Sequence, residues 1–235
     1  MKVKKLLEVK RGVYSKTMKE LYFFQISDVL KDGRIFDKFI HLLSREKQQR
    51  LGRIRCDISR TLSFYSELIA RHLICKKYNV KNENLVFSKN KYGKPYVTNI
   101  ADCHFNISHT KNAVAVAISD TPVGIDTEKI KTADKKVAGS FFYKDEFDYI
   151  ISSDDGGIDK RFFEVWTKKE AYIKYLGGSI SMLKSFSVFS DVISNKISTY
   201  QLNKYVLSVC LDQKFTQENI NVLSEERVID LCLDL

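Results

Sequence analysis

Apolar and polar residues alternate in several short stretches and repeat at helical spacing in a few longer ones. Alternation predicts strands, and apolar positions three or four residues apart predict amphipathic helices. Strands are predicted at residues 20–27, 84–88, 95–97, 104–108, 113–119, 123–128, 186–189, 196–202, 205–211 and 228–233. Helices are predicted at residues 35–43, 61–78, 141–151 and 162–176. Helices and strands occur in similar proportion in both halves, which predicts an α+β fold.

A turn at Asp120-Thr121-Pro122 divides the chain into two halves of similar size, 1–119 and 120–235. No low-complexity tract or long linker separates these halves, so they should pack tightly. We therefore expect two similar α+β lobes that form an intramolecular pseudo-dimer, with the active site in the cleft between them. We also expect a monomer, because two lobes already supply a cleft.

Charge and cysteine content narrow the possible functions. Lys and Arg number 39 against 29 Asp and Glu, which gives a formal net charge of +10. This balance favours an anionic partner such as nucleic acid, anionic lipid, a phosphorylated small molecule or an acidic protein. The cysteines are scattered and form no C-x-x-C pair, so neither a disulfide framework nor a zinc site is indicated. No apolar run could span a bilayer and no secretory signal is evident, so we expect a cytoplasmic protein without a membrane partner.

Three carboxylates could form a cation site. Asp126 and Glu128 stand two residues apart on a predicted strand, and alternation places both on one face. Glu170 lies between Trp166 and Lys174 on one stripe of a predicted helix. Carboxylate oxygens suit Mg²⁺, which commonly adds phosphate oxygens and waters as ligands. Taken alone, the first pair is better explained as a solvated edge strand, and Glu170 as an ordinary surface ion pair.

Basic and polar residues elsewhere could bind phosphate. The basic residues of interest precede the long helix or follow the Gly93 turn: Lys47, Arg50, Arg60 and Lys94. Ser108 and His109 end a strand and could donate hydrogen bonds to a phosphate. As a nucleophile and base they are poorly arranged, because adjacent strand residues point to opposite faces. A non-enzymatic basic module that binds RNA or DNA is the alternative, although none of the common nucleic-acid-binding motifs is present.

The order and spacing of four segments are specific when taken together. They are residues 93–95 (GKP), 105–109 (FNISH), 123–128 (VGIDTE) and 166–174 (WTKKEAYIK). This series resembles the motifs of the 4′-phosphopantetheinyl transferase superfamily, and the chain length resembles its Sfp-type, two-lobed branch. The match runs from about residue 47 to residue 174, over half of the chain.

The resemblance implies an enzyme that transfers 4′-phosphopantetheine from coenzyme A to a serine hydroxyl of an acyl, peptidyl or aryl carrier protein. The second product would be adenosine 3′,5′-bisphosphate. Asp126, Glu128 and Glu170 would hold Mg²⁺ against the pyrophosphate. Glu170 is the first choice as the base that deprotonates the serine, and Glu146 is its rival, because Glu146 matches a family acid close to the reaction centre. The basic net charge suits an acidic carrier protein.

Coenzyme A, the co-substrate, would bind mainly through basic residues of the first half. The resemblance implies contacts from Lys47, Arg50, Arg60, Lys94, Pro95, Ser108, His109 and Lys174. Among these, Lys94 and Pro95 would line the adenine pocket with Ser108 nearby. His109 would contact the 3′-phosphate, and Lys174 would act in catalysis by contacting a phosphate of the pyrophosphate.

Overall fold

A computed structural model of the protein describes residues 19–27, 33–153, 157–213 and 215–235. Residues 1–10, where a secretory signal would lie, are outside these ranges. The strands are β1 (Glu20–Gln25), β2 (Phe87–Lys89), β3 (Pro95–Val97), β4 (His104–Thr110), β5 (Ala113–Ser119), β6 (Val123–Lys129), β7 (Ile197–Leu202), β8 (Tyr205–Leu211) and β9 (Ile220–Leu223). The helices are α1 (Arg34–Phe39), α2 (Arg45–Gly52), α3 (Asp57–Tyr78), α4 (Lys135–Phe141), α5 (Lys144–Ile151), α6 (Gly157–Leu176), α7 (Asp191–Ser194) and α8 (Glu225–Leu233). The predicted α+β class is confirmed.

The first lobe is built on a sheet with the strand order β4-β5-β1-β9. Its strand β5 is buried at every position, because the two faces of the strand meet different layers. Val114 and Val116 pack in the cluster that contains α3 and α8. Ala115 and Ala117 pack on the opposite side, against residues of the second sheet. The alternation of valine and alanine therefore gives one broad face for helices and one flat face for a second sheet.

The second lobe is built on a sheet with the order β6-β8-β7. Ile125, Leu207 and Val209 pack against the first sheet, and helices α4, α5 and α6 cover the opposite face. Strand β6 lies very close to α6, since a Cβ at Gly124 would meet the Ala171 carbonyl oxygen at 2.0 Å. Only glycine permits this approach. The two sheets thus pack against each other, and each lobe's helices cover the outer face of its own sheet.

Strands β4 and β6 come from different lobes and lie side by side, joined by hydrogen bonds from side chains. The Asn106 Oδ1 accepts from the backbone N–H of Ile125 at 2.8 Å. The Ser108 Oγ accepts from the backbone N–H of Thr127 at 3.2 Å. These side chains occupy the space where a backbone ladder would otherwise form, so the two lobes are separated by a polar seam along β4 and β6.

The last predicted strand is wrong, because residues 228–233 belong to helix α8. Val228, Leu231 and Cys232 are its buried residues, which is helical spacing, and the Ser224 hydroxyl caps the helix by accepting from the Arg227 N–H. The preceding strand β9 pairs in parallel with β1 of the first lobe. The division at residue 119/120 stays a prediction, but this pairing places residues 220–223 on the first sheet.

Three further predictions of secondary structure need correction. Residues 186–189 form no strand, and the predicted helix 141–151 is α5 preceded by the end of a separate helix α4. The predicted strand 84–88 is a 3₁₀ turn at Asn82–Asn84 followed by β2. Nowhere in the described part of the chain does a helix combine the length and apolarity needed to cross a bilayer.

Candidate active site

A cavity of about 460 Å³ opens where β4, β6, α2, α3, α6 and the β2–β3 turn meet. Most of the residues predicted for the site line it: Lys47, Arg50, Pro95, Ser108, His109, Asp126, Glu128, Glu170 and Lys174. Three predicted residues, all within the described ranges, lie outside this lining: Arg60, Lys94 and Glu146. A larger cavity of about 670 Å³, near Arg71 and Leu235, contains none of the predicted residues.

Asp126 is the most buried carboxylate of the cavity, with 4 % exposure. Its Oδ1 accepts from the Lys174 ammonium at 2.6 Å and from the Ser108 hydroxyl at 2.8 Å. Its Oδ2 is also buried, yet it has no hydrogen-bond partner among the described residues. A buried carboxylate oxygen without a partner is costly, and a bound cation would satisfy it.

Glu128 and Glu170 are the two other carboxylates that line the cavity. The Thr110 hydroxyl donates to the Glu128 Oε2 at 2.7 Å, and this bond partly offsets the effect of burial, which raises the pKa of Glu128. Burial also raises the pKa of Glu170, and the negative charges of Asp126 and Glu128 raise it further. The three carboxylates therefore repel one another across the cavity.

The three carboxylates line one cavity but do not converge on a single point. Within the described ranges, no three His, Cys, Asp or Glu side chains are arranged closely enough to enclose a metal ion. The ammonium of Lys174 lies against Asp126 instead and also donates to Ser108 at 3.2 Å. The Lys174 ammonium thus neutralises the Asp126 carboxylate, one of the three carboxylates of the cavity.

Basic residues also line the cavity. Lys47 is buried at the start of α2, where its ammonium contacts the Glu67 carboxylate at 2.8 Å and the Ser63 hydroxyl at 3.1 Å. Burial lowers the pKa of Lys47, and the Glu67 charge opposes that change. Burial also lowers the pKa of His109, and the charges of Lys174 and Lys47 lower it further. The imidazole therefore favours its neutral form.

Two basic residues predicted to bind coenzyme A have other contacts. The Lys94 ammonium donates to the backbone carbonyl oxygens of Val123 at 3.0 Å and Lys174 at 2.5 Å, so it faces the second lobe. Arg60 pairs with Asp57 at 2.6 Å on the surface of α3. Neither side chain lines this cavity, although Lys94 and Pro95 together line a smaller cavity of about 220 Å³.

Glu146 is placed away from the reaction centre suggested for it. Both Glu146 and Lys169 have 0 % side-chain exposure, and the Lys169 ammonium contacts the two carboxylate oxygens at 2.8 and 2.7 Å. The backbone N–H groups of Tyr143 and Val188 donate to the same carboxylate at 2.8 Å each. This buried carboxylate, with its four hydrogen bonds, does not line the cavity, and the role of Glu146 as the rival base stays a prediction.

Sequence reasoning missed three residues that support the site. Thr110 holds Glu128, while Glu67 and Ser63 hold Lys47. Thr110 had a usable signal, because it follows Ser108 by two positions on β4 and therefore shares its face. Glu67 and Ser63 lie on the long helix, where nothing in the local pattern separates them from other polar helical residues.

Known protein families match both halves of the chain. Residues 122–232 match the family described as the 4′-phosphopantetheinyl transferase superfamily. Residues 33–121 match the family described as 4′-phosphopantetheinyl transferase, N-terminal. The chain belongs to the 4′-phosphopantetheinyl transferase superfamily. The transferase therefore carries both segments of the two-lobed branch, as its motifs predict.

Curated relatives extend along most of the transferase. It is 34 % identical over 233 residues to the 4′-phosphopantetheinyl transferase gsp of Aneurinibacillus migulanus, covering 92 % of this chain and 96 % of that protein. It is 31 % identical over 209 residues to the 4′-phosphopantetheinyl transferase Sfp of Bacillus subtilis, covering 82 % and 92 %. It is 32 % identical over 203 residues to psf-1 of Bacillus pumilus, covering 80 % and 86 %. The predicted enzyme class and its Sfp-type branch are confirmed.

Proposed function

We propose that the transferase moves 4′-phosphopantetheine from coenzyme A to a serine hydroxyl of an acidic carrier protein, with Mg²⁺ as cofactor. The serine oxygen forms a bond to the phosphorus on the pantetheine side of the pyrophosphate. The bond from that phosphorus to the bridging oxygen breaks, and adenosine 3′,5′-bisphosphate leaves. The observation that supports this proposal best is that carboxylates and basic residues line one cavity together.

The basic residues are suited to the phosphates of coenzyme A. Lys47, Arg50 and His109 line the same cavity as the carboxylates, and Pro95 offers an apolar surface for the adenine. A phosphate that enters beside His109 would stabilise the imidazolium against the burial and the neighbouring ammonium groups that lower its pKa. Charge-assisted hydrogen bonds of this kind are the stronger ones.

The carboxylates of the cavity are oxygen ligands of the kind that Mg²⁺ prefers. Asp126, Glu128 and Glu170 would hold Mg²⁺, and the buried Asp126 Oδ2 supports this assignment because it has no partner among the described residues. When bound, Mg²⁺ would neutralise the pyrophosphate and favour departure of the bisphosphate. The Lys174 ammonium, which contacts Asp126, lines the same cavity and would bind a phosphate oxygen of the pyrophosphate.

Glu170 is the carboxylate best placed to accept the serine proton. It lines the cavity, and burial together with two neighbouring carboxylates raises its pKa. A carboxylate with a raised pKa is a better proton acceptor near neutral pH. The monomeric state, the cytoplasmic location and the absence of a nucleic-acid partner remain part of the proposal.

Mass spectrometry of apo carrier proteins tests the proposal. The carriers would be incubated with coenzyme A, Mg²⁺ and the transferase, and the expected result is one added phosphopantetheine on a serine. Asp126→Asn should reduce the rate by ~10²–10³-fold, whereas Asp191→Asn, a change of the same kind on the exposed start of α7, should not.

A double variant sharpens this test. Residues that act as a unit give effects that do not add. Asp126→Asn combined with Glu170→Gln should therefore be little slower than the slower single variant. Near-normal transfer by folded Asp126→Asn, or binding of RNA or DNA with no preference for coenzyme A, would overturn the proposal.

A further inference from the structure

Hydrogen bonds within the turn between β2 and β3 hold its conformation. The Asn90 Oδ1 accepts from the backbone N–H groups of Tyr92 and Lys94, each at 2.9 Å. The Asn90 N–H donates to the Lys94 carbonyl at 3.0 Å, and Gly93 adopts a positive φ of 88°. Such an Asx turn needs no contact from outside to keep its form.

Two side chains of this turn cross to the end of α6. The Asn90 Nδ2 donates to the Gly177 carbonyl at 2.9 Å. The Lys94 ammonium donates to the carbonyls of Lys174 and Val123 at 2.5 and 3.0 Å. We call these three hydrogen bonds the interlobe bridge. The last carbonyls of a helix lack partners within the helix and carry partial negative charge, so an ammonium is well placed there.

The position of the Lys94 side chain separates it from the residues that face the cavity. Gly93 and Pro95, on either side of Lys94, line the cavity, but Lys94 does not. Burial, with a smaller contribution from the Lys174 charge, lowers the pKa of Lys94 to about 8. A side chain that reached freely into solvent would not show this change.

The interlobe bridge joins the backbones of the two elements that carry the candidate site. Val123 begins β6, which carries Asp126 three residues later. Lys174 offers its carbonyl to Lys94 and its own ammonium to Asp126. A change in the bridge would therefore alter the position of α6 relative to β6, and with it the contact between Lys174 and Asp126.

We infer that Lys94 is a positioning residue that fixes the last turn of α6 against the first lobe, and that its ammonium does not bind coenzyme A. Only the consequence for transfer rests on the proposed function, since the bridge itself can be measured in the protein alone. This assignment is an alternative to the expected contact between the Lys94 side chain and the adenine pocket, which stays a prediction.

Hydrogen–deuterium exchange of the full chain is the direct test, comparing the parent protein with Lys94→Met and Lys91→Met. Met keeps the length of the side chain without the ammonium. Lys91 lies in the same turn, where its ammonium is 4.9 Å from the centre of the Tyr92 ring, so Lys91→Met removes an equal charge and spares the bridge. Asn90→Asp is the second variant, because it keeps the Oδ1 that shapes the turn and loses the donor to Gly177.

In Lys94→Met, the amides of residues 173–178 should exchange roughly tenfold faster or more, as loss of a charge-assisted hydrogen bond implies. Asn90→Asp should change the same amides, and Lys91→Met should not. In the transfer assay, Lys94→Met should lower kcat and leave KM for coenzyme A within about threefold. Unchanged exchange at the end of α6, or equal acceleration in Lys91→Met, would overturn the inference. A large rise of KM for coenzyme A with unchanged kcat would also overturn the inference. If the parent protein has no transferase activity, the proposed function is refuted, but the exchange result still tests the bridge.

Discussion

Replacing Lys169 with Met should strongly destabilise the protein, because it would leave the buried Glu146 carboxylate without a countercharge. The Lys169 ammonium also donates to the Phe186 carbonyl at 2.7 Å and lies 4.5 Å from the centre of the Phe186 ring. Burial lowers the pKa of Lys169 more than Glu146 raises it, which shows how little solvent reaches the pair. Removing one partner of a buried ion pair typically costs ~3–5 kcal/mol.

That cost is large compared with the total stability of a domain, which is commonly about 5–15 kcal/mol. For a protein of this size, each kcal/mol lowers the Tm by roughly 2–4 °C, so Lys169→Met should melt about 6–20 °C below the parent. The double variant Lys169→Met with Glu146→Gln removes both charges. It should be more stable than Lys169→Met alone, since no unpaired carboxylate remains buried.

Urea titrations followed by circular dichroism would give the free energies of unfolding of the parent, both single variants and the double variant. The coupling between the two positions follows from the double-mutant cycle. A loss of less than about 1 kcal/mol in Lys169→Met, or strictly additive effects, would refute the reasoning. A folded Glu146→Gln that loses transfer ~10³-fold with unchanged stability would support Glu146 as the base.

Three further predictions concern protonation and ligand binding. As pH rises from about 8 to 10.5, the free energy of unfolding of the parent should increase by about 3 kcal/mol relative to that of Lys94→Met. The reason is that Lys94 has a pKa near 8 in the folded protein, whereas the unfolded chain keeps this proton to higher pH. Urea titrations at several pH values measure this difference. Binding of coenzyme A should be accompanied by uptake of a proton near neutral pH, because a bound phosphate would raise the pKa of His109. Calorimetry in buffers of different ionisation enthalpy would detect this uptake, and His109→Asn should abolish it. Thr110→Val should raise the Mg²⁺ concentration needed for half-maximal coenzyme A binding by roughly tenfold, whereas Thr110→Ser, which keeps the donor to Glu128, should not.

Each of these predictions has a clear contrary outcome. A stability difference that is constant with pH would show that Lys94 is not desolvated in the folded protein. Proton uptake that persists in His109→Asn would assign the proton to another group. Equal Mg²⁺ dependence in the Val and Ser variants at Thr110 would show that the hydroxyl does not position Glu128.

Local periodicity was sufficient for the residues whose role depends on one strand or one helix. Alternation predicted that Asp126 and Glu128 share a face, and both line one cavity. Helical spacing likewise predicted the stripe that carries Glu170 and Lys174. These inferences need only the geometry of a single element, which the order of residues defines.

Partners that are distant in sequence could not be predicted in this way. Nothing near Glu146 shows that Lys169 will neutralise it, and nothing near Lys94 shows that its long side chain will reach the second lobe. The run at residues 228–233 is short and apolar, and such runs do not distinguish strand from helix. Its helical form follows from packing against α3, which is a tertiary effect.

The parallel pairing of β9 with β1 has a consequence for how the protein is made. β1 is an interior strand of the first sheet, and its neighbour β9 is synthesised some two hundred residues later. Until then β1 presents an unpaired edge, and the surface of α3 that α8 covers remains open to solvent. The first lobe therefore completes its fold only after β9 and α8 have been synthesised, unlike a domain whose strands are all neighbours in sequence. A chain truncated before residue 220 would leave that edge exposed permanently and would be prone to associate through it.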